Sequence, residues 1–149
     1  MRPRPFPGHV ATALLLAAAA AYPQEPAPPG ADLATFAARR FPQPVRAGEL
    51  VDRRVLQPIE SRPVLGHVTG VVRAHDGTLE IVVKYGGFLG FGGRLIAVPA
   101  VAMVLLGREL EILDFTPQQL DAFPTFDPAG AVAIGADEEI RLGLAHPSH

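Results

Sequence analysis

Between Glu49 and Leu113 apolar residues come in short runs, many of them alternating with polar ones, and Gly, Pro and Asp separate the runs. A period of two puts successive side chains on opposite faces of an extended chain, so the pattern predicts strands. They fall at 54–57, 65–73, 79–85, 94–98, 104–106 and 109–113. Asp76-Gly77 accepts positive φ cheaply and predicts a hairpin between the second and third of these strands, and Gly107-Arg108 marks another. Strands this short leave unpaired edges unless the sheet curls and closes. The expected fold is therefore all-β, a small β-barrel or half-barrel with short accessory helices.

The flanks follow other patterns. Thr116 can cap a helical turn that starts at Pro117, with Gln119 reaching back to complete a capping box and Pro124 ending it. Upstream, Asp32 can cap a short helix that sets Leu33, Phe36, Ala37 and Phe41 on one face, places Arg39 and Arg40 near its negative end, and stops at Pro42. The run 23–30 is rich in proline and reads as an extended polyproline-like spacer. Beyond Asp127 only a weakly helical stretch at 137–144 stands out, and the segment 127–149 is expected to be a flexible tail.

Arg2 and Arg4 precede an uncharged, alanine- and leucine-rich run that ends at Ala21, the layout of a secretory signal. Small residues at Ala19 and Ala21 suit a signal peptidase, and the cut is placed between Ala21 and Tyr22. The apolar run reaches only about 20 Å as a helix, against the roughly 30 Å of a hydrocarbon layer. The chain thus divides into a signal peptide (1–21), a linker with a short helix (22–45), a barrel domain (46–126) and the tail (127–149), and the protein is expected in the periplasm or outside the cell. Loss of Arg2 and Arg4 with the leader makes the chain more acidic than its formal charge of -2, which argues against nucleic acid as a partner. With 0 cysteines there is no disulfide framework, no thiolate metal site and no lipid-attachment cysteine.

Three segments resemble the PRC-barrel family, the domain shared by the extramembrane part of the photosynthetic reaction-centre H subunit and by ribosome-maturation proteins. Val64-Leu-Gly-His-Val-Thr-Gly-Val-Val72 is similar to the family's glycine-led second strand. Tyr85-Gly-Gly-Phe-Leu-Gly-Phe-Gly-Gly-Arg-Leu-Ile-Ala-Val-Pro99 resembles its glycine-rich loop feeding a strand that closes on Val-Pro. The stretch from Leu113 to Phe126 resembles the short helix and aromatic-proline close of many bacterial members. Two features depart from the family pattern: the apolar residues that follow Pro99, and the proline-rich connection at 58–63. The resemblance implies a PRC-type barrel that serves as an adaptor or assembly module, with no common catalytic activity and no cofactor.

The candidate site is the glycine-rich loop, Gly86, Gly87, Phe88, Leu89, Gly90, Phe91, Gly92, Gly93 and Arg94. Its spacing is not that of a dinucleotide fingerprint, and a strand follows where phosphate binding would need a helix N-terminus. Its aromatic residues either fill the core or stand out as an apolar anchor for a protein partner. The five histidines are scattered, neither serine lies in a nucleophile elbow, and Asp137, Glu138 and Glu139 point in different directions. The reading is a non-catalytic module that binds a protein, with a membrane surface and self-association as further options. A reaction-centre H-like subunit and a small-molecule-binding barrel are the alternatives.

Overall fold

The computed structural model describes residues 40–87 and 91–145. The signal sequence, the spacer, the predicted helix up to residue 39, Phe88, Leu89, Gly90 and residues 146–149 lie outside the described residues. In chain order the strands are β1 (Gln43–Arg46), β2 (Arg54–Leu56), β3 (Val64–Ala74), β4 (Leu79–Tyr85), β5 (Arg94–Pro99), β6 (Met103–Leu106), β7 (Glu109–Ile112), β8 (Ala131–Ala133) and β9 (Glu139–Leu144). One α-helix, α1 (Pro117–Asp121), follows β7, and 3-10 turns at Ala47–Leu50, Ala100–Ala102 and Pro128–Gly130 join strands. The fold is all-β.

The predicted strands are all present, with ends within a residue or so of the expected ones, and the chemistry that set them is visible. Gly77 takes φ +87° and the Asp76 carboxylate accepts from the Thr78 N–H at 2.8 Å, fixing the β3–β4 turn. Gly107 takes φ +59° between β6 and β7. At α1 the capping box is complete: Thr116 Oγ1 accepts from the Gln119 N–H at 3.3 Å, and Gln119 Oε1 accepts from the Thr116 N–H at 2.8 Å.

The strands form one mixed sheet in the order β1-β9-β6-β7-β2-β3-β4-β5, with β8 attached to β3. β2 pairs with the start of β3 and β8 with its end, so one edge of this long strand serves two neighbours. Register shifts opposite Val55/Leu56 and at Val68/Gly70 bulge β3 and let it twist between the two halves of the sheet.

The sheet does not close into a full barrel, because β1 and β5 end the sheet and are not bonded to each other. Its edges are blunted in another way. β1 is four residues long and carries Pro44, Pro99 of β5 has no N–H to offer, and the Leu95 carbonyl on the outer edge of β5 accepts from the Phe126 N–H at 2.7 Å.

The flexible tail and the linker boundary are also corrected. Glu139–Leu144, read as weakly helical, is strand β9, antiparallel to β1 and parallel to β6. Its alternation puts Ile140 and Leu142 into the core at 5% and 1% exposure, so the tail is part of the domain. The domain likewise begins before residue 46, since β1 pairs with β9 and the Arg40 guanidinium grips the Asp114 carboxylate in a two-pronged contact at 2.9 and 2.7 Å. Phe41, placed by the sequence on the buried face of a helix, has φ +51° and is exposed.

The core lies on one side of the β3–β4–β5 meander. Val68, Val71, Ile81, Val83, Ile96 and Val98 point into it and meet Leu50, Val55, Met103, Leu110, Ile112 and Leu120. Each such side chain contributes about 1.5–3 kcal/mol by leaving water. Glu111 on β7 is the one buried charged side chain among the described residues, and Arg62 reaches it at 3.4 Å.

Candidate functional site

The glycine-rich loop is the β4–β5 hairpin connection. Gly87 and Gly93 have φ of +90° and +78°, and a Cβ would come within 2.7 Å of the Phe91 carbonyl oxygen at the first and 2.8 Å of the Tyr85 carbonyl oxygen at the second. Only glycine satisfies both the dihedral and the close backbone approach. Phe91 is 81% exposed.

Arg94, nominated in the same loop, turns the other way. Its guanidinium donates to the carbonyl oxygens of Leu120 at 2.9 Å and Asp121 at 2.7 Å, and also to that of Phe123. The Leu120 carbonyl also accepts from the Phe123 N–H at 3.1 Å, so the guanidinium adds to the bonds that close the end of α1. Arg94 therefore holds the helix against the hairpin and is not offered to a ligand. Its cross-strand partner Tyr85 does similar work: the phenol donates to Asp121 Oδ1 at 2.9 Å. Burial, then the hydrogen bond and charge of Asp121, push the Tyr85 hydroxyl up to about 12, with the Arg94 charge acting in the opposite direction.

On the face of β3–β4–β5 away from the core, residues directly opposite one another make rows. Arg54, His67, Lys84 and Leu95 form the row nearest the hairpin, across β2, β3, β4 and β5. Gly70, Val82 and Ala97 form the next, and Val72, Glu80 and Pro99 the one beyond. A Cβ at Gly70 would meet nothing within 4 Å, so the surface dips there. The dip is part of a groove of about 340 Å³ whose walls include Val82, Leu95, Phe126 and Ile134. Val72 and Val82 are 8% and 4% exposed yet lie outside the core cluster, so this outer face is apolar in its own right.

Glu80 and Lys84 share the outer face of β4 but do not pair. Four residues along a strand is about 13 Å, too far for an ion pair. Glu80 instead has its carboxyl held above the usual range by burial and by the Asp76 charge. Neither Lys84 nor His67 has a hydrogen-bond or ion-pair partner among the described residues, whereas Arg54 is ion-paired to Glu109. The acidic cluster behaves as a solvated face, with Glu138 3.8 Å from Arg73.

A second cleft is lined by Val51 and by the charged residues Glu49, Asp52, Arg53, Arg54, Arg108 and Glu109. Its groups answer one another: Arg53 donates to the carbonyls of Glu49 and Gly107, and Arg54 to Glu109. No group of three metal-ligating side chains gathers among the described residues. Sequence reasoning nominated Phe91, which the structure leaves exposed, and did not foresee the outer groove or the Arg54–His67–Lys84 row. The groove depends on Phe126 returning to the edge of β5, and no local pattern announces that. No family model matches the chain, and no curated protein matches it.

Proposed function

We propose that this chain is a non-catalytic, exported module of PRC-barrel type that binds a polypeptide partner in the bacterial envelope through its glycine-rich hairpin and the adjoining outer face. The observation that carries this reading is the Phe91 ring, 81% exposed at the hairpin beside a sheet face that is itself apolar. An aromatic side chain left in water forgoes about 1.5–3 kcal/mol that burial would return, and such rings are the usual anchors of protein interfaces. The signal-like N-terminus supports the compartment, and the three PRC-like segments support the adaptor role.

The test is photo-crosslinking in cells from a reactive side chain placed at Phe91, with Val101 on the far turn as the control. One envelope protein joined from Phe91 and not from Val101 is the expected outcome. Equal labelling from both positions, or none from either, would overturn the proposal.

A further inference from the structure

We infer that two copies of this chain associate through β8, edge to edge and antiparallel about a two-fold axis at Val132. The inference is independent of the partner-binding reading, because β8 joins the edge of β3 that faces away from β4 and the hairpin. Along an antiparallel strand the N–H and C=O of successive residues turn to opposite sides. The Val71 carbonyl accepts from the Ile134 N–H at 2.9 Å, so Val71–Ile134 and, two residues along, Arg73–Val132 are the bonded pairs. The backbone groups of Ala131 and Ala133 therefore point away from β3. The 3-10 turn before β8 already closes the Ala131 N–H on the Pro128 carbonyl. What the edge offers is the Ala133 N–H and the carbonyls of Ala131 and Ala133, which no backbone group among the described residues meets.

The other edges are protected, β1 by Pro44 and β5 by Pro99 and the returning Phe126. β8 carries neither a proline nor a charged side chain, and its Val132 is 66% exposed, the kind of edge that templates pairing with another chain. Its symmetry selects a second copy. Ala131-Val132-Ala133 reads the same in both directions, so an antiparallel copy sets Ala133 of each chain against Ala131 of the other, and the Ala133 N–H donates to the Ala131 carbonyl in both directions. The reciprocal bonds are forgone, because each Ala131 N–H stays with Pro128. Between these pairs the two Val132 side chains stand directly opposite in the position where cross-strand side chains are closest, and each covers the exposed surface of the other. An edge of three residues offers far less than the roughly 800 Å² per partner of a stable complex, so the association is reversible and depends on concentration.

The chain has 0 cysteines, so Val132→Cys introduces a single thiol. In the proposed pair the Cα atoms of position 132 lie about 4.5 Å apart, within the span of a disulfide. Mild oxidation of the purified full chain should join most of the Val132→Cys protein into a covalent dimer, whereas Ile59→Cys, at another exposed apolar position, should stay monomeric. The sedimentation coefficient of the parent should rise between micromolar and millimolar loading. Val132→Lys sets like charges opposite one another and should remove that rise while circular dichroism stays unchanged. The parent's sedimentation and the cysteine result remain decisive even if Val132→Lys misfolds. A parent that sediments as a monomer throughout, a disulfide that forms equally from both cysteines, or a rise that survives Val132→Lys overturns the inference. None of these outcomes touches crosslinking from Phe91, and loss of that crosslinking leaves the β8 dimer standing.

Discussion

The two faces of the β3–β4–β5 meander are made from neighbouring residues of the same strands, and they have opposite fates. On the inner face Val68, Val71, Ile81, Val83, Ile96 and Val98 are all nearly or fully buried and packed against side chains from across the chain. On the outer face the next residues along, His67, Gly70, Lys84 and Leu95, leave a groove, a lysine with no partner among the described residues and an apolar wall. The inner face accounts for the fold. The outer face leaves apolar surface in water at Leu95, and that is the feature a partner would relieve.

The sharpest way to break that contrast is to truncate adjacent residues that point to opposite sides. Ile96 is fully buried, and Ile96→Ala should cost about 2–5 kcal/mol through lost burial and the cavity left behind. Leu95, 37% exposed, should cost less than about 1 kcal/mol on the same change. Urea denaturation of both variants measures the difference. Equal losses would mean that the outer face is a second core and not a docking surface.

A smaller effect separates the two residues nominated in one loop. Arg94→Lys keeps the charge but loses the planar fork that reaches two carbonyls of α1 and that of Phe123 just beyond it, and hydrogen bonds to charged groups contribute about 1.5–3 kcal/mol each. A loss of about 2 kcal/mol in the melting or urea midpoint is expected, whereas Phe91→Ser should lie within about 0.5 kcal/mol of the parent. A stable Arg94→Lys protein with impaired partner binding would return Arg94 to the interaction surface.

How far the sequence reached follows from what is local. The hairpins at Gly77 and Gly107, the capping box at Thr116 and the period of β3 and β4 are set by residues a few positions apart, and all were legible. β9 was not. Its alternation of Ile140 and Leu142 with Glu139 and Arg141 is a strand pattern, but it is short, follows an acidic cluster, and finds its partners in β1 and β6 far back in the chain. Whether the sheet closes fully was not legible for a related reason. The edge of β5 is protected by Phe126 and Pro99, and the sequence shows the proline but not the returning chain. At the site, Phe91 and Arg94 look equivalent in a glycine-rich run. They diverge because Arg94 is paired with Tyr85 and faces α1, which only the register determines.

The smallest effect probes where the shielded side ends. Tyr85 neighbours Lys84 in sequence but turns its ring toward the core and its hydroxyl toward Asp121. Its folded value, about 12 against an ordinary 10.0, means that the native state holds the phenolic proton more tightly than the unfolded chain does. The stabilisation from this group is therefore complete below pH 10 and is lost as pH rises through about 12. On a Tyr22→Phe background the phenolate absorbance reports Tyr85 alone, and its midpoint should stay near 12 while circular dichroism shows the sheet intact. Asp121→Asn should bring the midpoint down by removing the carboxylate that opposes ionisation, without reaching the ordinary value, because burial is the larger cause. A midpoint near 10 in the folded parent would mean that water reaches the inner side of the hairpin as freely as the outer. The distinction between the two faces would then stop short of the loop that carries Phe91.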